Sequence, residues 1–367
     1  MKTLLIIASL TGATTLVGIL FLNLSPQFGA KYSGTYADRI RRSPNFKSGR
    51  FQNISQTTIT KEYRSRTLSY FTNGNKVPDW SIPVVKIEPG YFNRQQDSLT
   101  KITWFGHSAA LLEIDGKRIF LDPMLRSVTG PFPLLGSKRF NDTLPLPVDL
   151  LPQLDAVLIS HDHYDHLDYE SIVKLKDKAH MFYVPLGVGA HLRSWGIESD
   201  KITELDWWDN VSLGGLTLVS TPARHFSGRG VLDTYSTLWC SWVIKGKKTT
   251  VFFGGDSGYD QTFKRIGDAY GPFDFTMLEC GQYDTQWPEI HMMPEEVVQA
   301  NIDLKGRLLM PIHWGAFKIA LHPWDEPVER LLKKAKEMGV NVTTPIIGES
   351  VVLGKSEPTY VWWKQGN

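Results

Sequence analysis

The feature that most constrains this chain is a cluster of metal-binding residue types that directly follows a short apolar run. Residues 156–159 read Ala-Val-Leu-Ile, which predicts a buried strand. His161, His163, Asp165 and His166 follow within six positions. Imidazole and carboxylate groups are ligands that Zn²⁺ takes, and four of them this close together share a pocket. A solvated polar loop does not need three histidines at this spacing, so the segment predicts a metal site and suggests two metals.

Three further candidate ligands come after predicted strands. Each strand leads to one of them: Leu216–Thr221 to His225, Thr250–Phe253 to Asp256, and Leu308–Ile312 to His313. A sheet holds such ligands rigidly, and the glycines at 254, 255 and 315 allow backbone to approach a crowded site. A single histidine after a strand is more often a core or surface residue. Together with the first cluster, however, these residues predict a site of seven ligands.

The rest of the domain mixes predicted strands and helices without a regular alternation. The other strands are predicted at 101–105, 109–114, 118–121, 156–160, 181–185, 202–207, 238–244 and 275–278. The helices are predicted at 169–176, 188–195, 261–269, 294–304 and 327–338. Pro294, followed by two glutamates, is a good helix start. This pattern predicts an α/β sandwich of two sheets covered by helices.

The N-terminal part of the chain predicts a membrane segment. Residues 3–30 contain no charged side chain, and the apolar stretch Leu4–Leu22 is just long enough, at about 1.5 Å per residue, to cross a bilayer. A cleaved signal peptide is the alternative, although Phe28-Gly29-Ala30 lacks a small-x-small cleavage pattern. We therefore expect a membrane anchor or signal segment at 1–30, a basic linker and N-terminal extension at 31–90, and a folded domain at 91–367.

Charge and cysteine content leave several properties open. Residues 31–66 carry nine Lys/Arg against two acids, which would keep the following domain cytoplasmic, whereas secretion would place it outside. The formal net charge of +2 offers no argument for a nucleic-acid partner. Cys240 and Cys280, the only two cysteines, are core thiols or a disulfide. Nothing in the sequence indicates an oligomeric state.

In its order of motifs the chain resembles the metallo-β-lactamase superfamily, and within it the N-acyl-phosphatidylethanolamine phospholipase D family. The motifs that carry the resemblance are Thr103-Trp104-Phe105-Gly106-His107, residues 136–140, 159–168, 204–208 and 271–274, His291-Met292-Met293-Pro294-Glu295-Glu296, and Pro311-Ile312-His313-Trp314-Gly315. Pro26-Gln27-Phe28-Gly29 is similar to bacterial membrane-associated metal-dependent hydrolases. The resemblance implies an αββα sandwich of two mixed β-sheets flanked by helices, with 91–367 as the metallo-hydrolase domain.

The resemblance also implies how the ligands divide between two metals. His161, His163 and His225 would hold the first metal, Asp165, His166 and His313 the second, and Asp256 would bridge them. Two Zn²⁺ are the expected cofactors, although iron or manganese also accept such ligands. A metal pair lowers the pKa of a bridging water towards ~7 and makes hydroxide available for attack at phosphorus. The superfamily's β-lactamases use a cysteine ligand, which this motif pattern lacks.

Further residues are candidates for roles beside the metals. We expect Asp165 and His291 to be catalytic and Tyr164 and His291 to bind substrate, with His291 contacting phosphate or acting as an acid. Tyr164 could instead pack against a ligand ring. Asp122 is either an acceptor for a ligand imidazole or part of an Asp-Pro turn, and His107 is expected to be structural. Tryptophans near the site could line an acyl-chain groove, namely Trp207, Trp208, Trp287 and Trp314.

These features predict a membrane-associated dinuclear zinc phosphodiesterase of the phospholipase D type. Its expected substrates are N-acyl-phosphatidylethanolamine-type phospholipids, because the N-terminal segment and the tryptophans favour a lipid. One alternative is a lactonase or another ester hydrolase of the same superfamily. Another is a non-catalytic metal-binding protein of the cell envelope.

Overall fold

A computed structural model of the chain describes residues 21, 24–58, 74–93, 99–134, 136–230 and 232–364. In chain order its strands are β1 (Phe46–Lys47), β2 (Arg50–Phe51), β3 (Lys101–Trp104), β4 (Ala110–Ile114), β5 (Lys117–Leu121), β6 (Leu154–Leu158), β7 (Ala179–Pro185), β8 (Ile202–Leu205), β9 (Asn210–Leu213), β10 (Leu216–Thr221), β11 (Ser241–Lys245), β12 (Thr250–Phe253), β13 (Phe275–Glu279), β14 (Leu309–Ile312) and β15 (Ser350–Val352). Its α-helices are α1 (Gly34–Arg41), α2 (Tyr169–Leu175), α3 (Gly189–Ser194), α4 (Thr262–Tyr270), α5 (Pro294–Asp303) and α6 (Glu326–Met338).

The first sheet has seven strands in the order β15-β3-β4-β5-β6-β7-β8. β3, β4 and β5 are antiparallel neighbours, and Asp115 and Gly116, both at positive φ, form the tight turn between β4 and β5. From β5 to β8 the strands are parallel. Because parallel strands end at the same edge, the loops after β5 and β6 leave the sheet side by side.

The second sheet has six strands in the order β14-β13-β12-β11-β10-β9. β9 to β12 are antiparallel neighbours, whereas β12, β13 and β14 are parallel. Two antiparallel steps give β10 and β12 the same direction. The carboxyl ends of β10, β12, β13 and β14 therefore lie at one edge, where His225, Asp256 and His313 follow their strands.

The two sheets pack face to face, and helices cover their outer faces. Along β4, β5 and β6 alternate residues point to opposite sides, as the two-residue period of a strand requires. Leu112, Ile119 and Leu158 share a buried cluster with second-sheet residues such as Leu218, whereas Phe120 belongs to a second cluster with residues of α2 and α3. Both faces are thus buried, which explains the nearly continuous apolar runs. The predicted sandwich of two mixed sheets flanked by helices is confirmed.

Part of the N-terminal extension packs on this sandwich. Ile40 of α1 and Phe51 of β2 are buried in the main core. The predicted anchor falls mostly outside the described residues, and among those described no helix is long and apolar enough to cross a membrane. The division of the chain at residues 30 and 90 stays a prediction.

Candidate metal centre

The loop between β6 and α2 carries four of the predicted ligands. Asp122, at the end of β5, accepts hydrogen bonds from Ser160 N at 2.7 Å and from Ser160 Oγ at 2.6 Å. At the other end of the loop, Asp168 is the N-cap of α2 and accepts a hydrogen bond from Ser171 N at 2.9 Å. The loop is therefore fixed at both ends to regular structure of the first sheet layer.

His161, His163 and His225 form a first ligand group. His161 Nε2 lies 2.9 Å from His163 Nδ1, and His225 Nε2 lies 3.2 Å from the same nitrogen. The outer nitrogens of two rings are also engaged: His161 Nδ1 lies 2.9 Å from Ser160 Oγ, and His225 Nδ1 lies 2.9 Å from Ile290 O. Such outer contacts fix ring orientation, so the three rings present one nitrogen each to a common point.

Asp165, His166 and His313 form a second ligand group, and Asp256 lies between the two groups. Asp165 Oδ2 lies 3.2 Å from His313 Nε2 and 3.6 Å from His166 Nε2. Asp256 Oδ2 lies 3.1 Å from His166 Nε2, 3.2 Å from His313 Nε2, and 3.8 Å from the Nε2 atoms of both His161 and His225. One carboxylate oxygen therefore faces both groups, and all seven predicted ligands come together.

Two residues contact the second group from outside. His166 Nδ1 lies 2.7 Å from Asp122 Oδ2, which favours the ring-acceptor alternative for Asp122. His107, expected to be structural, is completely buried, and its Nε2 lies 3.0 Å from Asp165 Oδ2. His107, Asp122 and His313 have φ angles of 54°, 38° and 66°. A left-handed backbone conformation costs free energy for residues other than glycine, and such conformations cluster at functional sites, where the surrounding contacts hold them.

Gly255 allows the two sheets to meet at the site. Its φ is +58°, and a Cβ atom there would lie 2.6 Å from Ser160 Cβ. Only glycine therefore permits the β12 loop, which carries Asp256, to approach the ligand loop of the first sheet. The expected role of this glycine in a crowded site is confirmed.

The two ligand groups differ electrostatically. Burial lowers the pKa of His161 well below its usual value, and the nearby His166, His163 and His225 lower it further. Burial also opposes the charged form of His313, but Asp256 and Asp165 raise its pKa to about 10. Burial would raise the pKa of Asp256, yet His166 and His313 hold it well below its usual range. The ring of His161 is therefore neutral, while Asp256 stays anionic.

These residues fit a pair of divalent cations. His161 Nδ1 and His225 Nδ1 face the acceptors Ser160 Oγ and Ile290 O, so the Nε2 atoms of both rings present lone pairs to the common point, as metal ligands do. Asp256 Oδ1 is buried without a hydrogen-bond partner among the described residues, which calls for a positive neighbour. Nitrogen and carboxylate donors suit Zn²⁺ and also iron or manganese. Each group would hold one cation, with Asp256 facing both.

His291 lies beside both groups, next to a carboxylate that the sequence reasoning missed. Its ring centroid is 5.1 Å from that of His225 and 5.4 Å from that of His313. Its Nδ1 lies 2.9 Å from Oε2 of the buried Glu279, whose Oε1 accepts hydrogen bonds from Met292 N at 3.0 Å and Ser257 N at 3.3 Å. The sequence does carry a signal for Glu279, because it is an acid at the end of an apolar strand. That strand, β13, ends at the same edge of the sheet as β12 and β14.

Tyr164 is tied into the ligand loop. Its hydroxyl donates to Arg229 O, and the Arg229 guanidinium carbon lies 4.3 Å from the centre of its ring. Arg229 Nη1 also donates to Asp162 O and Leu167 O, each at 2.6 Å. These contacts bind Tyr164 to Arg229 rather than to a ligand ring, and a substrate contact stays a prediction.

The tryptophans and cysteines divide between core and surface. Trp207 and Trp314 are buried, so they cannot line an open acyl groove, and that part of the expectation is wrong. Trp208 and Trp287 are half-buried. Cys240 and Cys280 are buried free thiols, which decides between the two alternatives.

Comparison with known proteins supports the same family. Residues 117–314 match the model of the β-lactamase superfamily domain. The chain belongs to the metallo-β-lactamase superfamily. As a member, it is a metal-dependent hydrolase whose His/Asp cluster is a candidate metal-binding site. The metallo hydrolase of Ignicoccus hospitalis has the same fold: its TM-score is 0.52 at 23% identity, and the match covers 70% of this chain and 98% of that one.

The chain is also similar in sequence to three relatives, which match it over different shares of its length. It is 43% identical over 332 residues to an uncharacterized protein of Mycobacterium tuberculosis, with 88% of each chain covered. It is 30% identical over 291 residues to N-acyl-phosphatidylethanolamine-hydrolyzing phospholipase D 1 of Caenorhabditis elegans, covering 75% of this chain and 81% of the relative. It is 49% identical over 100 residues to the outer membrane protein RomA of Klebsiella pneumoniae, covering 27% of this chain and 75% of the relative.

Proposed function

We propose that this chain is a dinuclear zinc phosphodiesterase that cleaves N-acyl-phosphatidylethanolamine-type phospholipids by phospholipase D-type hydrolysis. The observation that carries the proposal is Asp256 Oδ2, which faces both histidine groups at 3.1 to 3.8 Å. When bound, two divalent cations supply an activated water and a net positive charge for an anionic phosphodiester, because Asp165 and Asp256 neutralise only part of their charge. The named activity of the Caenorhabditis elegans relative supports this substrate class.

The partly exposed residues of the site define where a substrate phosphate would bind. His163, Asp165 and His291 are only half-buried, whereas His161, His166, His225 and His313 are buried. The Asp165 carboxylate has His107 and His313 as neighbours at 3.0 and 3.2 Å, which orient it. Phosphate binding on the side of these half-buried residues would place the scissile bond next to His291.

His291 is the residue we assign to the leaving group. Its Nδ1 is engaged with Glu279 at 2.9 Å, which leaves Nε2 to contact a phosphate oxygen or to pass a proton to the departing alcohol. Hydrolysis would break the bond between phosphorus and the alcohol oxygen. The alcohol would leave with the proton and the lipid would retain a phosphomonoester.

Several exposed apolar side chains support a membrane lipid as substrate. Phe21, Leu24, Leu134 and Leu232 are 49%, 75%, 95% and 94% exposed. The N-terminal segment that carries Phe21 and Leu24 is joined to the site, because Gln27 O accepts hydrogen bonds from Arg229, which also binds the backbone of the ligand loop. Burying exposed apolar area against acyl chains is favourable. Residues 3–30, which carry no charge, would hold the enzyme on the membrane.

A hydrolysis screen with the purified full-length protein tests the proposal. We expect zinc-loaded protein to release the N-acyl-ethanolamine and a phosphomonoester lipid from vesicles that contain N-acyl-phosphatidylethanolamine. A panel of lactones should be left unchanged. Turnover of the lactones alone would contradict the proposal in favour of the ester-hydrolase alternative. Bound zinc with no hydrolysis of any phosphodiester or ester would favour the non-catalytic alternative.

A further inference from the structure

A short stretch of the N-terminal extension contacts the candidate metal centre, although it precedes the residues that match the superfamily model. Asn53, just after β2, is half-buried and pairs with both backbone groups of one ligand residue. Its Nδ2 donates to His225 O at 2.8 Å, and its Oδ1 accepts from His225 N at 3.1 Å. Trp239 Nε1 donates to the same Oδ1 at 3.2 Å. The side-chain amide therefore binds His225 as a neighbouring strand would.

Contacts from residues that follow Asn53 hold the residue before His225 and a neighbouring segment. Arg224, the residue before the ligand, donates from Nη2 to Gln56 O at 2.6 Å and from Nε to Thr57 Oγ1 at 3.1 Å. Its guanidinium also pairs with Glu289 at 2.8 Å. Ser55 Oγ donates to Asp260 Oδ2 at 2.6 Å. The extension is thus bound to several segments around this ligand.

His225 needs such support because of its place in the chain. β10 ends at Thr221, so the sheet no longer holds the backbone where His225 lies. His161 and His163, by contrast, share a loop that is fixed at both ends. Ile290 O orients the ring of His225 through Nδ1 at 2.9 Å, but the position of the ring follows its backbone. The two hydrogen bonds between the Asn53 side chain and the His225 backbone fix that backbone.

We propose that Asn53 is a positioning residue for the first ligand group. By fixing the backbone of His225, it places His225 Nε2 where it meets His161 and His163, so that the N-terminal extension is part of the metal site. The inference rests on the proposed metal centre but not on the proposed substrate. Outer contacts of this kind typically change metal affinity by about 10- to 100-fold.

Zinc affinity in two matched variants tests the proposal. Asn45 is the control, since it lies in the same extension, is also half-buried, and donates from Nδ2 to Asp206 Oδ1 at 2.7 Å, away from the predicted ligands. Zinc alone is titrated into metal-depleted full-length protein against a chromophoric chelator. We expect Asn53→Ala to lower the affinity for one of the two zinc ions by about 10- to 100-fold. Asn45→Ala should leave both affinities unchanged, and equal affinities in the two variants would overturn the proposal.

Amide hydrogen exchange separates this inference from the proposed function. In metal-free protein, Asn53→Ala should speed exchange of the His225 amide, which loses its acceptor, and Asn45→Ala should not. Unchanged exchange at His225 would overturn the proposal even if zinc binds.

If Asn53→Ala does not fold, Asn53→Asp serves instead. It keeps the acceptor for His225 N but places a carboxylate oxygen against His225 O. It should lower the zinc affinity while leaving the His225 amide protected, whereas wild-type affinity would count against the inference. Wild-type protein that binds no zinc would contradict the proposed function instead.

Discussion

The two sheets supply the candidate metal centre in different ways. The first sheet supplies four ligands from one loop, which Asp122 and Asp168 fix at its ends. The second supplies three from separate strand ends: His225, Asp256 and His313. The first set is arranged largely by local sequence, whereas the second set depends on strand register and on how the sheets pack. We therefore expect the largest effect at Asp256, the second-sheet ligand that faces both ligand groups.

Asp256→Asn should have the largest effect, because it removes the charge that faces both ligand groups while keeping the shape of the side chain. We expect turnover to fall by more than about 100-fold, since changes to outer contacts alone cost about 10- to 100-fold. Metal content should fall below two per chain, as measured by elemental analysis. Asp165→Asn, which alters one group only, is the comparison and should retain more metal. Normal activity with two bound metals in Asp256→Asn would refute its shared position.

Asp122→Asn tests how the first sheet fixes its own loop. Asn keeps one acceptor oxygen but loses the charge that His166 Nδ1 and Ser160 share. We expect metal affinity to fall by about 10- to 100-fold in a chelator competition. Asp155→Asn is the matched control, because Asp155 pairs with Lys117 on the neighbouring strand at the far end of β6. Equal affinities in both variants would mean that the loop keeps its shape without Asp122.

Glu279→Gln tests the support of His291. The amide keeps an acceptor for the His291 ring but removes the buried charge. We expect kcat to fall by about tenfold while two metals stay bound, since Glu279 lies 2.9 Å from His291 Nδ1 but 3.6 Å from Nδ1 of the ligand His313. Glu296→Gln is the control, because Glu296 accepts from Met293 N at 2.9 Å at the start of α5. A loss of metal that parallels the loss of kcat would assign Glu279 to the metal site instead.

Gly255→Ala should have the smallest effect on chemistry, and it probes the contact between the sheets through stability. The added Cβ would lie 2.6 Å from Ser160 Cβ, and such overpacking costs about 1–3 kcal/mol. Gly339 has a similar φ, +68°, and an added Cβ would have nothing within 4 Å. Gly339→Ala therefore measures the cost of placing alanine at a positive φ without any steric clash. Thermal unfolding of the metal-free variants should show Gly255→Ala as the less stable. Equal melting temperatures would mean that the sheets adjust freely at this point.

Much of the fold and the ligand set follows from sequence because both rest on short-range patterns. Apolar runs mark β6, β10, β12 and β14, and each ligand follows its strand within a few residues. Strand ends that share an edge then bring distant ligands together. The helices predicted from residues 169 and 294 begin at those positions, as α2 and α5.

The features that sequence reasoning missed depend on long-range contacts. In the sequence only its place at the end of an apolar run distinguishes Glu279 from other acidic residues. Its contact with His291 depends on where the sheet places the end of β13. Asn53 lies in a stretch expected to be a linker, and its role depends on pairing with His225. β9 and β15 were not predicted, because each is short: β9 has no buried residue and β15 has one, Val351. Trp314 was expected near substrate, but it is buried and stacks against Trp362, 5.1 Å away between ring centroids.

The stoichiometry of zinc in the active full-length protein tests the central claim most directly. Metal-depleted protein is titrated with zinc while hydrolysis of vesicles that contain N-acyl-phosphatidylethanolamine is followed. Because Asp256 faces both ligand groups, activity should appear only as the second equivalent binds and should saturate at two zinc ions per chain. Full phosphodiester hydrolysis with one zinc ion per chain, or with none, would contradict the account.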